Sequence, residues 1–214
     1  MSAPTFDLGK LHGGLRLQAR KQMSTSAPIM QVPVPAQLVL PLTQHAGEPA
    51  QPVVGVGEPV LKGQLIADSE ASLGAPVHAS SSGKVVAIEP WPVPRRYGDN
   101  APCIVIECDG EDRAIEPSEA ATDYRELAPD TLLARILRGG IVGLGGAVFP
   151  TAQKLMQATA CELDYLVLNG VECEPFISCD DMLMREYAGE LLGGCLLYTS
   201  PSPRDTNLHR VCRL

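Results

Sequence analysis

The sequence predicts an α+β protein, with an all-β stretch over residues 31–112 and a shorter α/β stretch from residue 130. Three observations carry this. The 214 residues include 20 Gly and 19 Pro but only 4% aromatics. That balance favours a turn-rich chain of short strands over a helix bundle. Between Val32 and Cys108 the apolar residues come in short β-branched runs cut by Gly, Pro and Ser. After Asp130 the period becomes helical, interrupted by a Gly-rich turn and one apolar strand. With 45% hydrophobic residues, the chain can build one large or two small cores.

Residues 1–30 are polar and Ser-rich, and Arg16, Arg20 and Lys21 read as a solvated basic face. Val32 to Pro35 alternates Val and Pro, as an edge or entry segment does. Leu38 to Leu40 is a short strand. Val53 to Ala67 is strand, turn, strand, punctuated by Gly55, Gly57 and Gly63. Ala75 to Ala79 is a strand, Ser80 to Gly83 a turn, and Lys84 to Glu89 the return. Pro90 to Pro94 reads as a stiff connection holding Trp91. Cys103 to Cys108 is the last strand, closed by Asp109-Gly110. Residues 113–129, acidic and Pro-containing, read as a linker. Asp130 is the expected N-cap of a helix from Thr131 to Arg138, and Gly139 its C-cap. A second helix starts near Pro150. Leu163 to Leu168 is an apolar strand ending at Asn169. Asp180 or Ser178 caps a last helix through Leu192, with Leu183, Tyr187 and Leu191 on one stripe.

The formal net charge of -8 speaks against a nucleic-acid surface. No run of 18 apolar residues exists, so no direct membrane span is expected. The N-terminal MSAPTFDLGKLHGG has no apolar h-region, so no signal peptide is expected and the chain is placed in the cytosol. The seven Cys form no C-x-x-C and read as reduced, mostly packed thiols, with no metal site. His45 and His78 lack partners at ligand spacing and read as packed or hydrogen-bonded histidines.

Residues 195–205, CLLYTSPSPRD, look like one translated frame of a transposase sequencing adapter. Residues 195–214 are therefore expected to be an artefact, with the natural sequence interrupted near Gly194. Pro201 and Pro203 would break any helix that continued there.

The stretch from Gly139 to Pro175 holds the candidate chemistry. It opens with GGIVGLGGAVFPTAQKL and closes with LVLNGVECEP. A Gly-rich turn at a helix N-terminus can bring backbone N–H groups to a phosphate. A loop just past the C-terminal end of a strand is where open α/β sheets contact ligands. Gly143, Gly145 and Gly146 give G-x-G-G, not G-x-G-x-x-G, and there is no G-K-[ST] ending. On spacing alone a phosphate loop and a plain tight turn stand level.

The pair GLGGAVFPTAQKL and NGVECEP resembles the flavin-domain signature of the RnfC family, the NADH-oxidising subunits of Rnf electron-transport complexes. The flavin subunit of respiratory complex I carries a related pair. The short Leu11 to Leu15 segment resembles the opening of RnfC chains. The phrase VGEPVLKGQLIA followed by APVHASSSGKVVAIE resembles a biotinyl/lipoyl-like barrel-sandwich domain, with which RnfC chains begin. The hairpin tip from Ser69 to Gly74 has no Lys, so a covalent biotin or lipoate carrier is not expected. The domain instead reads as a docking or scaffold module.

The resemblance implies a barrel-sandwich domain over 31–112 and the first part of an FMN/NADH-binding α/β domain over 130–194. It implies that Gly143, Gly145, Gly146 and Ala147 approach the flavin phosphate, with Lys154 supplying a positive charge. Asn169 and Glu172 would hydrogen-bond the flavin, Glu174 would meet the nicotinamide nucleotide, and Phe149 would stack an adenine. The cofactors implied are FMN and NADH. The [4Fe–4S] clusters of the family are expected only beyond residue 194. The partners implied are the other Rnf subunits, on the cytoplasmic face of a membrane. No side chain is required as acid or base. The residues present are expected to be inactive alone. Position 148 is often Gly in these families, and Val148 would narrow the space beside the nucleotide. A non-catalytic NqrA-like subunit and a barrel-sandwich adaptor are the competing readings. The intact motif pair argues against the first, and the Lys-free hairpin tip against a carrier form of the second.

Overall fold

The computed structural model describes residues 17–69, 73–94, 99–116, 124–144, 147–159, 167–199 and 212–213. The chain divides into two compact units. The larger runs from Met30 to Asn169 and resumes at Gly189. The smaller joins the segment ending at Ile29 to Gly170–Ala188.

Two antiparallel sheets make up most of the larger unit. The strands are β1 (Gln37–Pro41), β2 (Gln51–Pro52), β3 (Pro59–Val60), β4 (Leu65–Asp68), β5 (Val77–His78), β6 (Gly83–Pro92) and β7 (Asn100–Cys108). One sheet has the order β1-β7-β6-β3 and the other β2-β4-β5. Their inner faces close on one core. Leu40, Val60, Val85, Ile104 and Ile106 come from the first sheet, and Ile66, Ala67 and Val77 from the second. Strand β7 is covered on both faces. Ile104 and Ile106 point to this core, while Cys103 packs with Val93, Ala101, Val39 and Trp91 on the other side. This is the sheet-on-sheet sandwich that the alternating short strands predict.

Pro90 to Pro92 is a correction. These residues are not a connection but the end of β6, paired with Pro102, Ala101 and Asn100. Strand β3 pairs with Gly83 and Lys84, and the neighbouring Gly57 and Glu58 bond Val85; past Val85 no strand among the described residues pairs with this side of β6. Proline is tolerated on such an edge, where no N–H is needed. A bulge at Val86 adds one residue between the pairs Val85–Ile106 and Ala87–Val105, which increases local twist.

Past β7 a polar knot fixes the chain. The buried Ser82 hydroxyl donates to Asp109 (2.7 Å) and accepts from the Arg113 N–H (2.8 Å). Ser81 and Lys62 both bond Asp112, at 2.8 and 2.6 Å. Ala114 forms a parallel bridge with Lys62, so the first residues of the expected linker run along the sandwich.

Helix α1 spans Pro129–Arg138 and α2 spans Thr151–Thr159. Asp130 is not the N-cap of α1. Ala128 takes that position and Pro129 is the first helical residue, its fixed φ suited to it. Asp130 instead lies in the first turn, where a carboxylate favours the helix dipole. Gly139 caps the end as expected. Gly140 follows at φ 63, and a Cβ there would run into the Pro76 carbonyl beside β5. This glycine lets the end of α1 lie against the smaller sheet.

The expected strand over 163–168 appears as β8 (Leu168–Asn169), residues 163–166 lying outside the described residues. Strand β8 runs parallel to β9 (Cys212–Arg213). The single helix expected through Leu192 is two: α3 (Cys179–Glu186), preceded by Ser178, and α4 (Ala188–Thr199). Tyr187 leaves helical geometry at ψ 33, which breaks the 183–187–191 stripe. Helix α4 runs through Cys195 to Thr199, past the point where the sequence pattern loses its period.

Candidate functional site

The Gly-rich turn is a loop pinched at its base. The Gly143 N–H donates to the Phe149 carbonyl (2.8 Å), and the Thr151 N–H to the Ile141 carbonyl (2.9 Å). Val142 and Pro150 form an antiparallel bridge between these bonds. Pro150 and Thr151 are buried, so the start of α2 is held in place. Leu144 in the loop is 90% exposed. Gly145 and Gly146 lie outside the described residues.

Lys154, one turn into α2, reaches back to this loop. A Cβ built on Gly143 would stand only 3.1 Å from the Lys154 ammonium, tighter than ordinary van der Waals contact. The Lys154 ammonium thus lies close to the bare backbone of Gly143. A positive charge set against the bare backbone of Gly143 can receive an anion. These residues fit the phosphate of a flavin nucleotide. Phe149 is half-buried and Ala147 exposed at the same loop.

Val148 departs from the usual backbone. Its φ is 42, in the left-handed region that β-branched residues avoid. Its carbonyl accepts the Ala46 N–H at 3.0 Å, which ties the loop to the sandwich. Ala46 is itself held, because its carbonyl lies 3.2 Å from His45 Nδ1. Facing a carbonyl, that nitrogen carries the hydrogen. His45 is buried, as expected of a packed histidine. Its Nε2 and the Ser69 hydroxyl are buried without a hydrogen-bond partner among the described residues. Beside this tie lies a cavity of about 380 Å³, lined by Pro41, residues 43–46, Val93, Pro94, Ala147 and Val148.

Asn169 lies half-buried in β8 of the larger unit. Glu172 and Glu174 belong to the smaller unit, where Glu174 is exposed in a bend. Glu172 is engaged within that unit. Its side chain is 4% exposed and bonds Lys21 at 2.7 Å, and it accepts the Asp180 N–H at 2.8 Å at the start of α3. Burial pushes the carboxyl up. The bonds from Lys21, the Asp180 N–H and Cys179 outweigh this and hold it below its ordinary value. Lys21 also donates to the Ile177 carbonyl (2.7 Å). The solvated basic face expected at 16–21 is thus corrected at Lys21, which is drawn into an ion pair. Arg16 lies outside the described residues.

The structure therefore brings Gly143, Ala147, Phe149 and Lys154 to one loop. Sequence reasoning did not find Lys21 as the partner of Glu172, since 151 residues separate them. Nor did it find the Ala46–Val148 tie, although a non-Gly residue in a Gly position was a signal for it. Cys173 and Cys179 are exposed and Cys103 is buried, and all are free thiols. No helix among the described residues is long and apolar enough to cross a membrane.

Comparison with known proteins separates the sandwich from the part that carries the Gly-rich loop. Residues 9–111 match the RnfC barrel sandwich hybrid domain. Residues 136–202 match the Nuo51 FMN-binding domain. The C subunit of an ion-translocating oxidoreductase complex from Pseudomonas aeruginosa is 50% identical over 182 residues, 85% of this chain and 23% of that protein. Its counterpart from Rhodobacter capsulatus is 41% identical over 184 residues, 86% of this chain and 35% of that protein. The Vibrio cholerae counterpart is 41% identical over 182 residues, covering 85% and 23%. The chain thus spans about a quarter to a third of the length of these relatives.

Proposed function

We propose, from the premise that this chain belongs to the RnfC family, that it is the N-terminal part of an NADH-oxidising, FMN-binding electron-transfer subunit. The subunit would work in a membrane-associated, ion-translocating complex of Rnf type, docked with its other subunits on the cytoplasmic face. The observation that carries this reading is the Lys154 ammonium seated against the bare backbone of Gly143 in a loop pinned at its base.

Bound FMN would supply the redox chemistry, accepting hydride from NADH. The chain supplies binding and orientation. Backbone groups of Gly143 to Ala147 and the Lys154 charge would hold the phosphate. Asn169 would meet the flavin, and Phe149 would offer a stacking face. Glu172 already has Lys21 and the Asp180 N–H as partners, so its share would be to fix the loop that carries the neighbouring contacts. Electrons would pass on through [4Fe–4S] clusters in the part of the subunit beyond residue 194, and residues 195–214 would not belong to it.

The test is spectroscopic. The full-length product should purify yellow and release FMN on denaturation, and NADH should bleach it. A protein that holds no flavin and takes up none from solution refutes the proposal.

A further inference from the structure

The smaller unit is built from two distant pieces of chain, the segment ending at Ile29 and Gly170–Ala188. The first piece has no core of its own, since none of residues 17–29 is buried. A row of polar contacts fixes it to the second. The Phe176 N–H donates to the Ala19 carbonyl (2.9 Å), and the Ser24 hydroxyl donates to the Phe176 carbonyl. The Lys21 ammonium donates to Glu172 and to the Ile177 carbonyl, each at 2.7 Å. The Ile29 N–H donates to the Glu186 carboxylate (3.0 Å). Two backbones along this row are bent into the left-handed region, Arg20 at φ 48 and Phe176 at φ 68. Neither is Gly, so each conformation is costly and persists only where its surroundings hold it. Both backbone groups of Phe176 are bonded to the first piece. Glu172 ties the row to the loop between Asn169 and α3. One carboxylate oxygen takes Lys21 and the other the Asp180 N–H, with 4% of the side chain exposed. Without Lys21 that buried carboxylate would lose its counter-charge, which destabilises more than the pair itself contributes. The first piece lies in the part that matches the RnfC barrel sandwich hybrid domain, and the loop in the part that matches the Nuo51 FMN-binding domain.

We propose that residues 19–29 are a strap that sets the conformation of the loop following Asn169, with Lys21 the positioning residue that acts through Glu172. The inference rests on the flavin-binding reading above, in which Asn169 meets the flavin. Gly170 joins that residue directly to the strapped loop, so the strap fixes the direction in which the chain leaves Asn169. Lys21 itself touches no part of the nucleotide.

The full-length subunit is freed of flavin and titrated with FMN. Lys21→Met keeps the length of the side chain and removes its charge. The Kd for FMN should rise about tenfold, as misplacement of a binding group by a distant change does. Hydrogen exchange at the Phe176 and Asp180 amides should accelerate. The absorbance maxima of the flavin that still binds should shift, because the hydrogen bonding of its ring changes. A mere loss of folded protein lowers the amount of flavin bound and leaves that spectrum as it was. If Lys21→Met does not fold, Ser24→Ala, at an exposed position, loosens the same strap and should move all three readouts in the same direction. If wild type binds FMN and the variants bind it with unchanged Kd and spectrum, the strap is overturned while the flavin reading stands, even where exchange accelerates. Unchanged exchange at both amides overturns it as well. If wild type binds no FMN, the flavin reading itself fails and the inference with it.

Discussion

Replacing Val148 by Gly and, separately, by Ala tests whether the loop stores backbone strain. Val148 sits at φ 42, where an L-residue loses roughly 1–2 kcal/mol against Gly. Both substitutions remove the same pair of γ-methyls, so lost packing nearly cancels between them. At an ordinary φ, Gly is less stable than Ala by roughly 0.5–1 kcal/mol, because it frees the unfolded chain. At position 148 the order should invert, with the Gly variant more stable by about 0.5–1 kcal/mol. For a unit of this size that is a difference of about 2 °C in Tm. Gly55 provides the contrast, since nothing lies within 4 Å of a Cβ built there. Gly55→Ala should raise Tm by a similar amount. Scanning calorimetry reads both, and hydrogen exchange at the Ala46 amide, which bonds the Val148 carbonyl, reads the loop directly. If the Ala variant at 148 equals or exceeds the Gly variant in Tm and in Ala46 protection, the strain argument is refuted.

Lys154→Gln should raise the Kd for FMN in the full-length subunit by about 10-fold to 100-fold, as loss of a charge-assisted phosphate contact does. Equilibrium dialysis measures it. Glu172→Gln should destabilise the smaller unit by about 2 kcal/mol at pH 7, as expected for bonds to a charged group. The native carboxyl lies below its ordinary 4.5, so this advantage is full above pH 4.5 and lost as pH falls through the native value. Denaturant melts of the two forms should therefore converge in acid. His78 acts in the same sense over a higher pH range. Burial lowers its imidazole, with Asp68 raising it in part, so below about pH 6.5 the unfolded chain takes up the proton first. Stability should fall as pH drops from 7 and level off below the native value, and His78→Gln should flatten that limb. Sequencing the source DNA across codon 194 should show the frame continuing into Cys-rich cluster motifs, with residues 195–214 replaced by other sequence.

The sandwich was legible because its signal is local. Short β-branched runs cut by glycines announce strands, and burial of Val60, Val85, Ile104 and Ile106 follows from their alternation. The Pro90 to Pro92 strand was not legible, because proline forbids a strand only where a neighbour needs its N–H. Whether a neighbour exists is a fact of topology. Gly143 and Lys154 could be read as a pair because one helical turn separates them from the same loop. Lys21 could not be assigned to Glu172, nor Ala46 to Val148. Each contact joins distant parts of the chain, and no periodicity encodes it. The helix break at Tyr187 was hidden by an apolar stripe that continues across it.

The Ala46–Val148 hydrogen bond also orders events in time. Its two ends lie about a hundred residues apart in sequence, so closing it costs chain entropy that the loop cannot recover from its own contacts. The sandwich holds the Ala46 end and leaves a synthesising ribosome first, and domains tend to fold in that order. The Gly-rich loop would then settle against a wall already in place. A lesion in the sandwich core should therefore delay the shaping of a loop it does not touch.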